Sequence, residues 1–197
     1  MNIVCIASGR GSNVDALLRA TGDGRVRARV TLVISNISTA PVLTIAREAG
    51  VNAIHLSEKQ FPDHDAFATR FLEVLRAAQA DLIVLAGYLR KLPDAVCRAY
   101  RGRIINIHPA LLPKYGGHGM YGSHVHEAVL AAGETESGAT VHYVDEEYDR
   151  GAVIMQERVP VLRGDTPETL AARVLEAEHR LLPAAVAAVL DRLNVTQ

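Results

Sequence analysis

The chain has 197 residues, enough for one large domain with a full hydrophobic core. Apolar residues make up 49% and charged residues 22%, ordinary globular usage that excludes disordered, collagen-like and coiled-coil classes. With 21 basic and 22 acidic residues interspersed and a formal net charge of −1, nothing favours nucleic acid or a membrane surface as partner, and small molecules are expected instead.

In chain order, the first predicted strand is Asn2 to Ala7, followed by helix Asn13 to Ala20. The N-terminus is too short and too lightly charged to read as a signal peptide, and no apolar run approaches the roughly 18 residues of a membrane span, so a cytoplasmic location is expected. Cys5 in this strand and Cys97 in a later helix lack the neighbours of a zinc site and read as small core residues. Strand Arg29 to Ser35, helix Ala40 to Ala49, strand Asn52 to His55, helix Asp63 to Gln79, strand Asp81 to Ala86, helix Pro93 to Tyr100 and strand Arg103 to Ile107 continue the alternation. β-branched runs alternating with amphipathic segments are the signature of βαβ units, so a doubly wound, mostly parallel α/β sheet is expected. Lys114 to Ser123 holds four glycines and two tyrosines and reads as a loop, with a short helix after it. Ala139 to Val144 and Ala152 to Val161 read as an antiparallel strand pair extending that sheet. A long C-terminal helix follows, with Thr166 as N-cap and Pro167 at its first position, and Pro183 is expected to kink or interrupt it before Ala184 to Leu193 resumes. No linker or repeat divides the chain, so residues 1–197 are read as a single domain.

Three stretches invite chemistry. In Ile104 to Pro113, Asn106 and His108 interrupt an apolar run; at spacing i, i+2 they share one face of a strand, while Ile105 and Ile107 take the other. An amide beside an imidazole suits charge developing on a carbonyl oxygen, although a strand-end histidine hydrogen-bonded to backbone gives the same pattern. The loop Ser8 to Asn13, SGRGSN, links a strand to a helix. It is either a phosphate cradle of backbone N–H groups at a helix N-terminus or a tight turn capped by Ser12 or Asn13. It matches neither the dinucleotide fingerprint nor a Walker loop. The acidic turn Asp145 to Gly151 is either solvated or functional; Asp149 is the candidate carboxylate to stabilise an imidazolium and raise its pKa. From spacing alone Glu178, in LEAEH, reads as an exposed surface carboxylate. His118, His124 and His126 have no carboxylate or cysteine at ligand spacing, and no metal is expected.

Taken together, ASGRGSN, LAGYLRKLP, INIHPALLPKY and VHYVDEEYDRGAVIMQ resemble the phosphoribosylglycinamide formyltransferase family, in family order from Met1 to about Arg192. The resemblance implies a Rossmann-like formyltransferase fold and transfer of a formyl group from 10-formyltetrahydrofolate, a co-substrate, to the amine of glycinamide ribonucleotide in purine synthesis. It implies catalytic roles for Asn106, His108 and Asp149, with no metal. The ribonucleotide phosphate is expected on Gly11, Ser12 and Asn13, and its ribose and glycinamide end on Leu175, Glu176, Ala177 and Glu178, which promotes Glu178 from surface charge to ligand contact. The folate is expected against Leu89, Arg90, Lys91, Leu92, Asn106 and the turn Asp145, Glu146, Glu147, Tyr148 and Asp149. A nucleotide-binding half of about residues 1–100 and a folate and catalytic half of about 101–197 follow, with no nucleic-acid or membrane partner and a monomer or homodimer.

The chain departs from the family pattern in two places. His64 stands where an arginine often reaches the folate, which makes a contact there weaker, pH-dependent or absent. The loop GGHGMYGSHVHEAV is longer and richer in glycine, so no residue role is carried over between Gly116 and His126. The alternatives are another 10-formyltetrahydrofolate-dependent formyltransferase or deformylase, against which length is the expected discriminator, and a nucleotide-binding module without formyl chemistry.

Overall fold

The computed structural model describes residues 1–145, 147 and 149–195. Five strands, β1 (Asn2–Ala7), β2 (Arg29–Ser35), β3 (Asn52–His55), β4 (Leu82–Leu85) and β5 (Ile104–His108), pair in parallel. Then β6 (Glu136–Tyr143) joins β5 antiparallel and β7 (Val153–Pro160) joins β6 antiparallel, in the order β3-β2-β1-β4-β5-β6-β7. The connecting helices are α1 (Ser12–Gly22), α2 (Pro41–Glu48), α3 (His64–Ala77), α4 (Asp94–Ala99), α5 (Ser123–Ala131) and α6 (Pro167–Val195). The doubly wound prediction holds, with strand ends shifted by one residue at β4, β5 and β7, and β6 beginning three residues and ending one residue early.

Alternation along the central strands divides the core in two. Ile3, Cys5, Val84, Ile105 and Ile107 pack under α1, α2 and α6, whereas Val4, Ile6, Ile34, Ile83 and Ile104 pack against Phe67, Phe71 and Leu75 of α3 and Val96 of α4. Strands buried on both faces explain the near-continuous apolar runs that marked them in the sequence. Phe71 is fully buried, worth about 2–3 kcal/mol by the usual area scale. Burial also pushes the Cys5 thiol up to about 12, as expected of a core cysteine.

The C-terminal helix is not interrupted at Pro183. It runs through Pro183 as one helix from Pro167 to Val195. Pro183 lacks an N–H, yet it is buried among Leu181, Leu182 and Val186 on the face that packs the sheet, and that packing carries the helix past the missing bond. At its start Thr166 caps as expected, its Oγ1 accepting the Thr169 N–H at 3.3 Å. Among the described residues no helix is long and apolar enough to cross a membrane.

Chain order reverses between β1 and β4, and this switch point is where open α/β sheets bind ligands, outside the carboxyl ends of the strands. The two loops leaving it are tied together: Ser8 N–H donates to Gly87 C=O at 2.9 Å, and Ser8 Oγ accepts the Leu89 N–H at 2.9 Å while donating to Asn36 Oδ1 at 2.6 Å.

Candidate active site

A cavity of about 1260 Å³ opens at the carboxyl ends of β1, β4 and β5. That exceeds the usual volume of a single drug-sized site, about 300–1,000 Å³, and suits two ligands side by side. A smaller hollow of about 480 Å³ lies at the opposite ends of β1 to β3, beside Asn2, Arg29 and Arg70, and no expected site residue reaches it.

At one end of the large cavity lies the turn before α1. Gly11 is left-handed, with φ of 85°, and a Cβ on it would meet Val42 Cγ2 at 2.5 Å, so only glycine allows the loop to lie this close to α2. Neither Ser12 nor Asn13 caps α1; the helix starts after Gly11 with no side-chain cap, leaving its first N–H groups for a ligand. Asn13 instead turns across to α6, its Nδ2 donating to Glu178 Oε2 at 2.7 Å. Glu178 is 7% exposed, which overturns the surface reading that spacing alone gave. Burial raises its carboxyl above the usual range, against the pull of the Asn13 amide. Along this stretch of α6, Leu175 and Glu178 line the cavity, Ala177 is buried in the core and Glu176 points out to solvent. The helical period separates them: four consecutive residues cannot share one face.

The middle of the cavity is lined by Leu89, Arg90, Lys91 and Leu92 after β4, and the rim carries His64 and Glu58. The His64 Nδ1 lies 2.8 Å from Glu58 Oε1, so the imidazole is already engaged by a carboxylate. Asp145 and Glu147 also line the cavity, while Glu146 and Tyr148 lie outside the described residues.

Asn106 and His108 project from the end of β5 as the alternation predicts, and the β6–β7 turn folds back to bring Asp149 onto them. Asp149 Oδ2 is 3.6 Å from His108 Nδ1, and its Oδ1 is 3.4 Å from His142 Nε2. The other ring nitrogen of His108 donates to the Tyr115 carbonyl at 2.7 Å, so the proton that comes and goes resides on Nδ1, facing Asp149. Burial holds the His108 pKa below its ordinary value, outweighing Asp149 and the Tyr115 carbonyl, which pull upward. The expected upward pull from Asp149 is present, but the net direction is the reverse of the expectation, because desolvation penalises the imidazolium more. Burial opposes ionisation of Asp149 too, yet His142, His108 and the Gly117 N–H outweigh it and hold the carboxyl below its ordinary value.

His142 was not picked out from the sequence. In the antiparallel register it faces Asn106, and Thr140 faces His108. Its Nδ1 lies 2.8 Å from the Tyr143 carbonyl, and its Nε2 lies 3.1 Å from Asn106 Nδ2 and 3.4 Å from Asp149 Oδ1. One amide N–H of Asn106 thus remains for a ligand. Thr140 Oγ1 donates to Ala110 C=O at 2.6 Å and accepts the Leu112 N–H at 3.0 Å, fixing the chain that leaves β5. The signal was available: polar residues two apart in the otherwise apolar ATVHYV mark a second polar face, but only strand register shows what it meets. His118 in the loop and His126 in α5 line the cavity, whereas His124, also in α5, lies beside the Tyr121 ring, 5.4 Å between centroids. Among the described residues no group of three side chains is arranged to hold a metal ion.

The formyl transferase family model matches residues 1–186. Phosphoribosylglycinamide formyltransferase of Escherichia coli K12 is 39% identical over 93% of this chain and 84% of that protein. The trifunctional purine biosynthetic protein adenosine-3 of Drosophila pseudoobscura is 44% identical over 94% of this chain, which spans only 13% of that longer protein. Among solved structures, phosphoribosylglycinamide formyltransferase from Brucella melitensis superposes with a TM-score of 0.88 at 42% identity, covering 95% of this chain and 94% of that one. Glycinamide ribonucleotide transformylase 1 from Symbiobacterium toebii superposes with a TM-score of 0.89 at 40% identity, covering 95% and 86%. With an Asn, His and Asp set at the mouth of a switch-point cavity and a family match over nearly its whole length, the chain belongs to the formyl transferase family.

Proposed function

We propose that this chain transfers the formyl group of 10-formyltetrahydrofolate to the amine of glycinamide ribonucleotide, a step of purine synthesis, with Asn106, His108 and Asp149 as its catalytic residues. The observation that carries the reading is the convergence of those three side chains, from two distant stretches, on one wall of a cavity that also reaches the open N-terminus of α1.

The ribonucleotide phosphate sits on the N–H groups of Gly11, Ser12 and Asn13, where glycine permits close approach and the helix dipole favours an anion. Leu175 and Glu178 face its ribose and glycinamide end, while the Glu176 side chain points to solvent and that of Ala177 into the core, so any contact of these two is through backbone. The folate lies along Leu89 to Leu92 and the turn after Asp145, with His64 at the rim. Side-by-side binding supplies proximity.

The amine nitrogen attacks the formyl carbon, and the carbonyl oxygen becomes the oxyanion of a tetrahedral intermediate. Stabilising that charge is usually the largest catalytic contribution. The free Asn106 N–H donates to the oxyanion, and His108, protonated at Nδ1, supplies a second donor and positive charge. Asp149 favours that imidazolium and takes the proton released by the amine through water. Collapse of the intermediate breaks the bond to the folate nitrogen, which leaves with a proton as tetrahydrofolate, and the formamide remains on the ribonucleotide.

The test is to mix the protein with both substrates and follow the folate product. Product that requires the ribonucleotide supports the reading. Folate product formed equally without it indicates a deformylase, and no product together with binding of NAD indicates a nucleotide-binding module.

A further inference from the structure

Among the described residues, two other than glycine in or beside the cavity hold left-handed backbone: Tyr115, at φ of 57°, and Asp149, at 54°. For a bulky aromatic this is an outlier, and it persists only where surrounding contacts over-determine it. Those contacts are visible. The Tyr115 hydroxyl donates to Glu134 Oε1 at 2.9 Å, the same oxygen that accepts Lys114 Nζ at 2.7 Å, and Glu134 stands just ahead of β6, the strand that carries Thr140 and His142. The next residues close onto the reacting groups. The Tyr115 carbonyl accepts the His108 Nε2–H at 2.7 Å, and two residues on, the Gly117 N–H donates to Asp149 Oδ2 at 2.9 Å. Between them Gly116 passes so near that a Cβ would collide with Leu112 Cδ2 and lie 3.2 Å from Asp149 Cβ.

We propose that Tyr115 to Gly117, pinned by the Tyr115 hydroxyl on Glu134, forms a backbone clamp that sets His108 and Asp149 against each other, which makes Tyr115 and Glu134 positioning residues. The inference rests on the assignment of His108 and Asp149 as the reacting pair. The carbonyl end of the clamp selects the ring tautomer with its proton on Nε2, so that Nδ1 faces Asp149. The amide end orients Asp149 and favours its ionised form. Neither Tyr115 nor Glu134 needs to touch substrate; their effect passes through the backbone between them and the pair. Nothing in the proposed chemistry requires a tyrosine at 115, and the left-handed strain there has no other use visible in the fold.

Tyr115→Phe removes only the hydroxyl and keeps the ring packing; Glu134→Ala removes the anchor, and Glu134→Gln retains an acceptor for the hydroxyl. A misplacement of this kind lowers turnover without weakening binding, so kcat falls about 10-fold in Tyr115→Phe and Glu134→Ala while both KM values stay within about twofold. Loosening the clamp removes a hydrogen bond that favours protonated His108 and another that favours ionised Asp149. The bell-shaped kcat profile therefore narrows, its basic limb moving down and its acidic limb moving up. Glu134→Gln restores the profile, and the Tyr115→Phe/Glu134→Ala double variant is no worse than either single one. Nitrogen NMR of the His108 ring in the ligand-free protein gives a readout that needs no turnover: a single Nε2–H tautomer in the wild type and a mixture in Tyr115→Phe. Wild-type kcat, profile and tautomer in Tyr115→Phe, alongside a crippled Asp149→Asn, overturn the clamp and leave the catalytic assignment standing. Full turnover in Asp149→Asn overturns both.

Discussion

Replacing Asp149 by asparagine tests the electrostatic core of the site with little change of shape. The carboxylate oxygen lies 3.6 Å from His108 Nδ1, and both groups are largely buried. At an effective dielectric of about 20, a unit pair at that distance interacts by about 5 kcal/mol. The asparagine still accepts the Gly117 N–H and still presents a carbonyl dipole to the ring, so about half of that interaction is lost, which corresponds to about 10²-fold in turnover. Because burial already holds the His108 pKa down, removing the opposing Asp149 carboxylate pushes it further down, and fewer rings carry the proton that the oxyanion needs. Two assays read this independently. Steady-state formyl transfer gives kcat, with KM for the ribonucleotide expected to be nearly unchanged because the phosphate end lies on α1. Histidine ring NMR gives the direction of the His108 titration, expected at lower pH in the variant. Turnover within about threefold of wild type, or an unmoved His108 titration, would refute the pairing.

Gly11→Ala combines a left-handed residue with a Cβ 2.5 Å from Val42 Cγ2; a backbone penalty of about 1–2 kcal/mol and overpacking of about 1–3 kcal/mol lower unfolding stability by about 2–5 kcal/mol in a denaturant titration, and an unmoved midpoint would argue against the close approach. Ser12→Ala keeps the backbone N–H but removes the hydroxyl beside the phosphate, and is expected chiefly to raise KM for the phosphorylated substrate, whereas a pure turnover defect would contradict the phosphate cradle. Glu178→Gln removes a carboxyl whose folded pKa lies above its unfolded value. The native state then holds more protons than the unfolded one, so this group's contribution is full below about pH 4.5 and is lost as pH rises through the folded pKa. The stability of the variant relative to wild type should therefore improve as pH rises above about 4.5; a constant difference would mean that the carboxyl is not buried as described.

Much was legible locally. The parallel half followed from apolar runs of strand length alternating with helical periods, because strands buried on both faces cannot hide polar residues, and Asn106 and His108 stood out for the same reason. Period-2 geometry placed those two on one face without any knowledge of the sheet. The motif resemblance then singled out Asp149, which spacing alone left between a solvated turn and a partner for histidine. The stretch Lys114 to Gly122 is irregular, as its glycines require, and Ser123 already opens α5, yet nothing local indicates that the loop backbone grips the reacting pair.

What composition, period and motif order determined here was the alternation of elements, the doubly wound class and the residue types able to handle an acyl oxyanion. Only the tertiary structure decided which of them act together. Glu178 is buried because α6 crosses α1 and brings it to Asn13, 165 positions away in the chain. His142 enters the site through the β5–β6 register, and the net direction of the His108 titration comes from burial outweighing Asp149. Each depends on distances through space and on the water excluded between groups, quantities that residues remote in sequence acquire only when the chain has packed.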